Sequence, residues 1–338
     1  MSRSQLTSTV EQNTGGAVSP YVAGKNLIIN GAMEIAQRGT SITGGSTNTY
    51  GLDRWFTTGY GLGTAFNIAQ GTASPPSGFR YYQSITQSTA TSTNVTVSQF
   101  LETTDVLRMA GKTVTLSYMY KIPTSATTAW TVAAYYSTAT DGNLAPYNSR
   151  TGIISSTITN NTAWTTGTTV TFTVPSNATS FCIEFSNYNS TVNGANFQFT
   201  GVQLEIGSIA TPFSRAGGTF SGELAACQRY YYRITPNGVA NATIGYGLAA
   251  STTNMLMNIA VPVSMRVNPT ALDSSGVDIR TGAGGSPGTF SNIYIETTQC
   301  GNQQLAITAI VTSGLTTNTG YYVRTTSSAG YVGFSAEL

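Results

Sequence analysis

The sequence predicts an all-β protein with two tandem β-sandwich domains, an N-terminal jelly roll and a smaller C-terminal β-sandwich, preceded by an extended arm. Apolar residues alternate with polar ones in many short segments, which is the period of a half-buried strand. Gly, Pro, Asn and Asp separate these segments at regular intervals. The chain of 338 residues is long enough to form two hydrophobic cores.

Residues 1–24 form the predicted extended arm. The segment is polar, contains Gly15, Gly16 and Pro20, and has no periodicity. Such a segment cannot bury enough apolar surface to fold alone. It is either a frayed tail or an anchor that becomes ordered when it docks on a neighbouring subunit, and the sequence leaves both interpretations open.

Residues 25–215 form the predicted jelly roll. From Lys25 the pattern predicts a strand in which Leu27, Ile29, Met33 and Ile35 share one face. Further strands are expected at 79–86, 94–101, 112–122, 129–137, 168–174, 181–188 and 196–206. Short strands at this spacing, separated by turn residues, are typical of a two-sheet sandwich.

The last of these strands changes phase. Phe197 and Phe199 share one face by odd numbering, whereas Val202, Leu204 and Ile206 continue the apolar face by even numbering. Since side chains in a strand alternate strictly, one residue must be extra, and a glycine bulge at Gly201 is the simplest explanation.

Residues 216–338 form the predicted C-terminal β-sandwich. Pro212 and the pair Gly217-Gly218 end the preceding strand and predict a hinge. A short helix is expected near 221–227, and alternating segments follow, among them the one around Met255 and Met257. These segments predict a second, smaller pair of sheets.

Charge and cysteine content exclude several classes of protein. Charged residues make up 8% of the chain and the net charge is +2, so phosphate-mediated nucleic-acid binding is not expected. No apolar run is long enough for membrane insertion, and the N-terminus has no secretory signal. Cys182, Cys227 and Cys300 are predicted to be reduced and mostly buried.

The absence of histidine excludes catalytic Ser-His-Asp and Cys-His systems and His-ligated zinc. Glycosidase chemistry needs only two carboxylates, for which Glu184 and Glu205 are the candidates. Calcium bound by Asp53 or Glu205 is a further alternative. We nevertheless predict a protein that is not an enzyme, with no catalytic residue, no metal site and no cofactor.

Aromatic residues are the candidates for binding. Trp130, Tyr135, Tyr147 and Trp164 are predicted to bind a ligand, because flat aromatic faces pack against the C–H faces of sugars. The alternative is that rings such as Trp130 belong to the core. Three consecutive rings cannot all face a core, so an intersubunit contact is predicted at the segment Tyr230, Tyr231 and Tyr232.

Several segments resemble a known family. KNLIINGAMEIAQRGTS (25–41), YGLDRWF (50–56), GVQLEIGSIATPFSR (201–215) and ELAACQRYYYR (223–233) occur in the order found in bacteriophage virion structural proteins of the tail-fibre or receptor-binding type. That resemblance implies a first domain similar to the jelly rolls of carbohydrate-binding modules and a trimeric assembly. It provides no catalytic residues.

The leading hypothesis is therefore a non-enzymatic phage virion structural protein. It would be a tail fibre or appendage, made in the host cytoplasm and displayed on the outside of the particle, and it would take part in host attachment by binding surface glycans. Residues 1–24 would bind other virion proteins, and the chain would form a homo-oligomer, preferentially a homotrimer. The alternative is a capsid decoration or head-fibre protein anchored by the arm. A glycan-degrading enzyme or its binding module is the third hypothesis.

Overall fold

A computed structural model describes residues 24–45, 48–60, 66–88, 93–124, 129–145, 148–190, 194–236 and 238–338. The predicted arm, apart from Gly24, lies outside the described residues. The chain divides into two compact units, the first ending at Leu224 and the second extending from Ala225 to Glu337. Antiparallel strands dominate both units, which confirms the predicted all-β class.

Two sheets form the first unit. Sheet A, in the order β1-β4-β5-β13-β7-β10 with β11 also paired to β7, contains β1 (Ser41–Gly45), β4 (Phe66–Gly71), β5 (Tyr82–Gln87), β7 (Thr113–Thr124), β10 (Thr165–Thr166), β11 (Val170–Thr173) and β13 (Asn196–Ile206). Sheet B, in the order β2-β3-β6-β12-β8-β9, contains β2 (Thr49–Tyr50), β3 (Phe56–Tyr60), β6 (Thr93–Leu101), β8 (Trp130–Ser137), β9 (Thr151–Ile158) and β12 (Ser180–Ser190).

The inner faces of sheets A and B share one core. Its centre is aromatic. Trp130 of sheet B stacks on Phe197 of sheet A at 4.4 Å between ring centroids, and Tyr118 meets Phe185 edge-on at 5.1 Å. Burying one such ring contributes about 1.5–3 kcal/mol, so the aromatic residues account for much of the energy that holds the two sheets together.

The predicted bulge lies at Gly201. The register of β13 against β7 shifts between Thr200 and Gln203, and Gly201 has a φ of +63°. The bulge keeps the apolar residues on both sides of it, such as Phe199 and Leu204, buried. The prediction was wrong for Ile206, which is 45% exposed at the end of the strand.

The strand predicted from Lys25 is absent, and residues 25–40 form turns and irregular backbone. Asn30 and Met33 have φ values of 58° and 59°, which a ladder cannot accommodate. The side chains of Asn26 and Asn30 bind backbone groups in this segment, so side-chain hydrogen bonds replace those of a ladder.

Two short helices are described. Helix α1 (Thr103–Met109) was not predicted, whereas α2 (Phe220–Gln228) lies where a helix near 221–227 was expected. Helix α1 is only 7 residues long and buries only Val106 and Met109. An amphipathic pattern this short does not distinguish a helix from a strand in the sequence.

The second unit has its own core between two further sheets. Sheet C, in the order β14-β22-β17, contains β14 (Tyr231–Ile234), β17 (Ala271–Ser275) and β22 (Tyr331–Ser335). Sheet D, in the order β18-β21-β15-β16-β20-β19, contains β15 (Thr243–Ala249), β16 (Asn254–Ala260), β18 (Val277–Thr281), β19 (Phe290–Ile295), β20 (Gln304–Val311) and β21 (Gly320–Thr325). Strands β1 to β4, β9, β10, β17 and β18 were not predicted from the sequence.

Candidate functional site

The segments that carry the family resemblance meet in one buried network of the first unit. The Asn26 amide donates to the carbonyls of Val202 and Ser214, at 3.1 and 3.0 Å, and its oxygen accepts from the backbone of Leu204 at 3.1 Å. Gln203 accepts from the Ser214 backbone at 2.8 Å. The first and third motifs are therefore joined through their polar side chains.

Asn30 joins the first motif to the second. Its amide donates to the carbonyls of Ile35 and Asp53, at 2.8 and 3.0 Å, and its own carbonyl accepts from Trp55 Nε1 at 3.1 Å. The Asp53 carboxylate accepts from the backbone and the side chain of Gln37, both at 2.6 Å. Asp53 therefore orders the backbone of this segment.

Charged residues complete this network. Arg215 forms a bidentate pair with Glu34, at 2.5 and 2.6 Å. Glu223, at the start of α2, accepts from the backbone N–H groups of Asn30 and Gly217, and burial raises the pKa of its carboxyl despite those bonds. The motif residues thus hold the fold together, and this explains their sequence pattern without a ligand.

The four predicted ligand-binding aromatics have different environments. Trp130 is buried in the core, so its prediction as a ligand contact is wrong for a steric reason. Tyr147 lies outside the described residues. Trp164 is partly exposed, donates from Nε1 to the Ser74 carbonyl at 2.8 Å and meets Tyr82 edge-on. Tyr135 is half-buried on the outer face of sheet B.

The three consecutive tyrosines belong mainly to the interior. Tyr230 and Tyr231 are buried, and the Tyr231 hydroxyl donates to the Asp273 carboxylate at 3.0 Å. Tyr232 is half-buried and stacks on Phe334 at 6.5 Å. Burial removes Tyr230 and Tyr231 from any contact surface, which corrects the predicted interface. Helix α2 ends at Gln228 and β14 begins at Tyr231. The change from helix to strand lets consecutive rings point to different parts of the core.

The outer face of sheet B carries a row of hydroxyl side chains. Five residues that pair across β3, β6, β12, β8 and β9 form this hydroxyl row, namely Thr58, Thr96, Ser186, Thr131 and Thr157. Thr131 Oγ1 and Ser186 Oγ are 2.8 Å apart. Among the described residues Thr96 Oγ1 is buried without a hydrogen-bond partner. The row is buried near β3 and becomes exposed at Thr157.

An ion pair lies beside the hydroxyl row on the same face. Arg150 Nη1 donates to Glu184 Oε2 at 2.7 Å and to the Leu144 carbonyl at 2.9 Å. Its guanidinium carbon lies 3.7 Å from the centre of the Tyr135 ring. Burial raises the pKa of the adjacent Cys182 thiol, and the Glu184 charge raises it further. Arg150 therefore neutralises Glu184 and fixes the Tyr135 ring.

The accessible half of this outer face is uncharged. Thr131, Ser155 and Thr157 present hydroxyl groups on β8 and β9, on the same face as Tyr135 and the small side chain of Ala133. A cavity of about 380 Å³ adjoins it at the strand ends, lined by Tyr136, Ser137, Thr138, Ala139, Ser149, Arg150 and Thr151. Chemically, this surface can donate and accept hydrogen bonds beside an aromatic ring.

The two carboxylates considered for catalysis lie on different sheets. Glu184 of β12 binds Arg150, as described above. Glu205 of β13 lies 3.7 Å from Lys25 Nζ and accepts from the backbone and hydroxyl of Thr211, at 2.8 and 2.7 Å. Both groups are buried and hold neighbouring side chains in place.

Sequence reasoning missed Arg150 and the hydroxyl row. Arg150 lies in a polar stretch without periodicity, and nothing near it in sequence indicates Glu184, 34 positions away. The alternation of Thr131 with Val132 was visible, but the register that aligns five strands depends on long-range pairing. In the described part of the chain, no cluster of three or more Cys, Asp and Glu side chains is arranged to hold a metal ion, and no described helix could span a membrane.

No protein-family model matches the sequence, and a search of curated proteins found no match. The resemblance to phage virion proteins therefore stays a prediction at the sequence level.

Solved structures similar to this chain include a phage tailspike domain and carbohydrate-binding modules. The enzymatically active domain of tailspike protein 4 of bacteriophage CBA120 has 16% identity over 56% of this chain, with a TM-score of 0.37, and the match spans 22% of that structure. A structure of CBM4 has 20% identity over 53% of this chain and 98% of its own, with a TM-score of 0.35. The CBM22-1 xylan-binding domain of Paenibacillus barcinonensis Xyn10C has 13% identity over 56% and 98%, with a TM-score of 0.33. Likeness at this level carries no inference about ligand or activity.

Proposed function

We propose that this chain is a non-enzymatic structural protein of a bacteriophage particle, a tail fibre or appendage that binds host surface glycans through the first unit. The observation that carries the glycan-binding part is the accessible half of the outer face of sheet B. There, Thr131, Ser155 and Thr157 present hydroxyl groups on the same face as the half-buried Tyr135 ring, one side of which Arg150 covers. Sugars need this combination, because their C–H faces pack on rings and their hydroxyls exchange hydrogen bonds.

The ion pair beside the ring supports a neutral ligand. Glu184 is neutralised by Arg150, and Arg150 is held by Glu184, Leu144 and Tyr135 together. Neither charge is available for an acidic or basic ligand without losing these bonds. A neutral oligosaccharide therefore fits the face better than a charged one.

The non-enzymatic part of the proposal is supported by the two carboxylates. A glycosidase needs two carboxyl groups that flank one bond, separated by roughly 5–9.5 Å. Glu184 and Glu205 belong to different sheets and each is bound to a cation. We therefore assign both to stability.

The particle role follows from the resemblance of the motifs, and the partners are proposed with it. The chain would form a homo-oligomer, with a trimer favoured, and residues 1–24 would attach it to other virion proteins. A head-fibre or decoration protein remains the alternative within the particle. Gold-labelled antibody against the chain, applied to intact particles, should decorate the tail. Decoration of the head would favour the alternative, and unlabelled particles would contradict both.

Glycan binding is tested separately with the full-length protein on a panel of immobilised neutral oligosaccharides. Wild type is expected to bind at least one of these oligosaccharides. Thr131→Val, which keeps the shape of the side chain but loses its hydroxyl, is expected to bind the same oligosaccharide more weakly. A wild-type protein that binds none of them would overturn this part of the proposal. Release of reducing sugar from any bound polysaccharide would overturn the non-enzymatic part.

A further inference from the structure

The outer face of sheet B is buried on its central strands β6 and β12 and accessible on β8 and β9. Six outer side chains of β6 and β12 are at most 1% exposed, namely those of Thr96, Ser98, Phe100, Cys182, Glu184 and Ser186. On β8 and β9, by contrast, Thr131 is partly exposed, and Ser155 and Thr157 are exposed. Since β9 is the edge strand of the sheet, the accessible surface is roughly 10 Å wide, open at β9 and closed at β12.

The chain between β8 and β9 folds back over the closed part of this face. Leu144 and Ala145 are buried there and pack in one cluster with Phe56, Phe100 and Cys182, which are outer residues of β3, β6 and β12. We call residues 139–145 the wall segment. It occupies the space above these strands, so a ligand cannot continue across the sheet from β8 to β6.

Hydrogen bonds hold the wall segment in place. Asp141 exchanges two of them with Thr103 at the start of α1. Its carboxylate accepts from the Thr103 backbone N–H, and its own backbone N–H donates to the Thr103 hydroxyl, each at 2.8 Å. The Gly142 backbone N–H donates to the Ser180 hydroxyl at 2.7 Å. The wall segment is therefore tied to α1 and to β12, and it forms an anchored boundary of the accessible surface.

Tyr135 lies at the closed side of the accessible surface. Its partner on β12 is the buried Cys182, and the guanidinium carbon of Arg150 lies 3.7 Å from the ring centre. Its partner on β9 is Gly152, which is exposed and has no side chain. A sugar can therefore reach the ring from the β9 edge, whereas Arg150 and the wall segment close the side towards β12.

We infer that this face binds the end of a sugar chain rather than an internal stretch of it. The sugar chain crosses the β9 edge beside Ser155 and Thr157, and its terminal sugar lies at Tyr135, where Arg150 and the wall segment stop it. An internal stretch would have to leave Tyr135 on two sides, and one of them is filled. The inference rests on the glycan-binding part of the proposed function and specifies which part of the glycan is bound.

Oligosaccharides blocked at one end test the inference, by calorimetry with the full-length protein. The probe is a linear neutral hexasaccharide of glucose, mannose or galactose, whichever wild type binds most tightly, with a biotin group attached to one end or to the other. One of the two derivatives should bind at least about tenfold more weakly than the unmodified hexasaccharide, and the other should bind equally well. Two derivatives that both bind like the unmodified hexasaccharide, or that both bind weakly, would overturn the inference.

Chain length and a control variant complete the test. A trisaccharide of the same sugar should bind within about threefold of the hexasaccharide, because the additional sugars lie beyond the β9 edge. A larger gain with length would contradict binding of the chain end. Trp164→Ala, which removes the partly exposed ring just before β10 of sheet A, should keep the difference between the two derivatives, and its loss would place the chain end elsewhere. A wild-type protein that binds none of the hexasaccharides would instead overturn the glycan-binding proposal itself.

Discussion

The guanidinium of Arg215 donates two hydrogen bonds to the carboxylate of Glu34, 181 positions away in sequence. Both residues belong to the motif segments, Glu34 to 25–41 and Arg215 to 201–215, and both lie in a network with Asn30 and Glu223. The pair thus links the segment that follows β13 of sheet A to the irregular segment at the start of the first unit.

Breaking this pair should destabilise the first unit modestly. Arg215→Ala is expected to lower the free energy of unfolding by about 1 kcal/mol, since the pair is bidentate but partly exposed to water. Arg215→Lys keeps the charge but loses the planar fork, and should recover only part of the loss. Urea denaturation followed by tryptophan fluorescence measures this, because all three tryptophans lie in the first unit. Equal stability of all three proteins would contradict the assignment.

Glu223 should make stability depend on pH in an unusual direction. Burial raises the pKa of its carboxyl in the folded state above the unfolded value, so the folded protein binds the proton more tightly. The stabilisation that the Glu223 carboxyl contributes is therefore fully present below the pKa that this carboxyl has in the unfolded protein. It is lost as the pH rises towards the pKa that the carboxyl has in the folded protein. Wild type should lose stability relative to Glu223→Gln across that window.

The measurement is a series of denaturation curves for wild type and Glu223→Gln between mildly acidic and neutral pH. The difference between the two proteins isolates this carboxyl from all others. A wild type that gains stability over the variant as the pH rises would show that the carboxylate, rather than the acid, is favoured in the fold.

The bulge at Gly201 should not tolerate a side chain. A Cβ there would lie 2.6 Å from the Phe79 ring, in a backbone conformation with φ of +63°. Gly201→Ala is expected to cost about 2 kcal/mol or more, from backbone strain plus the contact with the ring. Gly152→Ala, on β9 with only ordinary contacts, should change stability by less than about 0.5 kcal/mol. Equal effects of the two substitutions on urea denaturation would contradict this account of the bulge.

The buried pair of Arg150 and Glu184 should be costly to break from one side. Arg150→Met leaves the Glu184 carboxylate buried without its cation, and such a loss costs about 3–5 kcal/mol. Adding Glu184→Gln removes the isolated charge and should recover part of the stability. The same fluorescence-detected unfolding measures both proteins. If the double variant is no more stable than the single one, Glu184 does not depend on Arg150.

The sequence predicted those features that depend on local pattern. The alternation around Met255 and the phase change at Gly201 identified strands and a bulge, because side-chain period and glycine conformation are local properties. The prediction from the sequence was wrong at Leu27 and Ile29, whose apolar spacing suggested a strand. There, the left-handed Asn30 and Met33 and the side-chain bonds of Asn26 determine the backbone, and these bonds connect residues far apart in sequence.

The candidate site was predicted only through Tyr135. Its ring lies on the outer face, whereas Trp130 and Tyr136 of the same strand face the core. Trp130 is also aromatic, but it lies on the opposite face of β8 from Tyr135 and is therefore in the core. The partners of Tyr135 could not be predicted, because Arg150 reaches it from outside the strand, and the hydroxyls of Ser155 and Thr157 come alongside β8 only through strand pairing.

The affinity of the full-length protein for the best-binding neutral oligosaccharide, measured by calorimetry, tests the central claim most directly. Tyr135→Ala should weaken binding about tenfold, which corresponds to the loss of roughly 1.4 kcal/mol. Tyr135→Phe, which keeps the ring, should bind nearly as well as wild type, and Trp164→Ala, a change just before β10 of sheet A, should bind equally well. If Tyr135→Ala folds and binds with wild-type affinity, or if Trp164→Ala alone loses binding, the glycan does not bind on the outer face of sheet B.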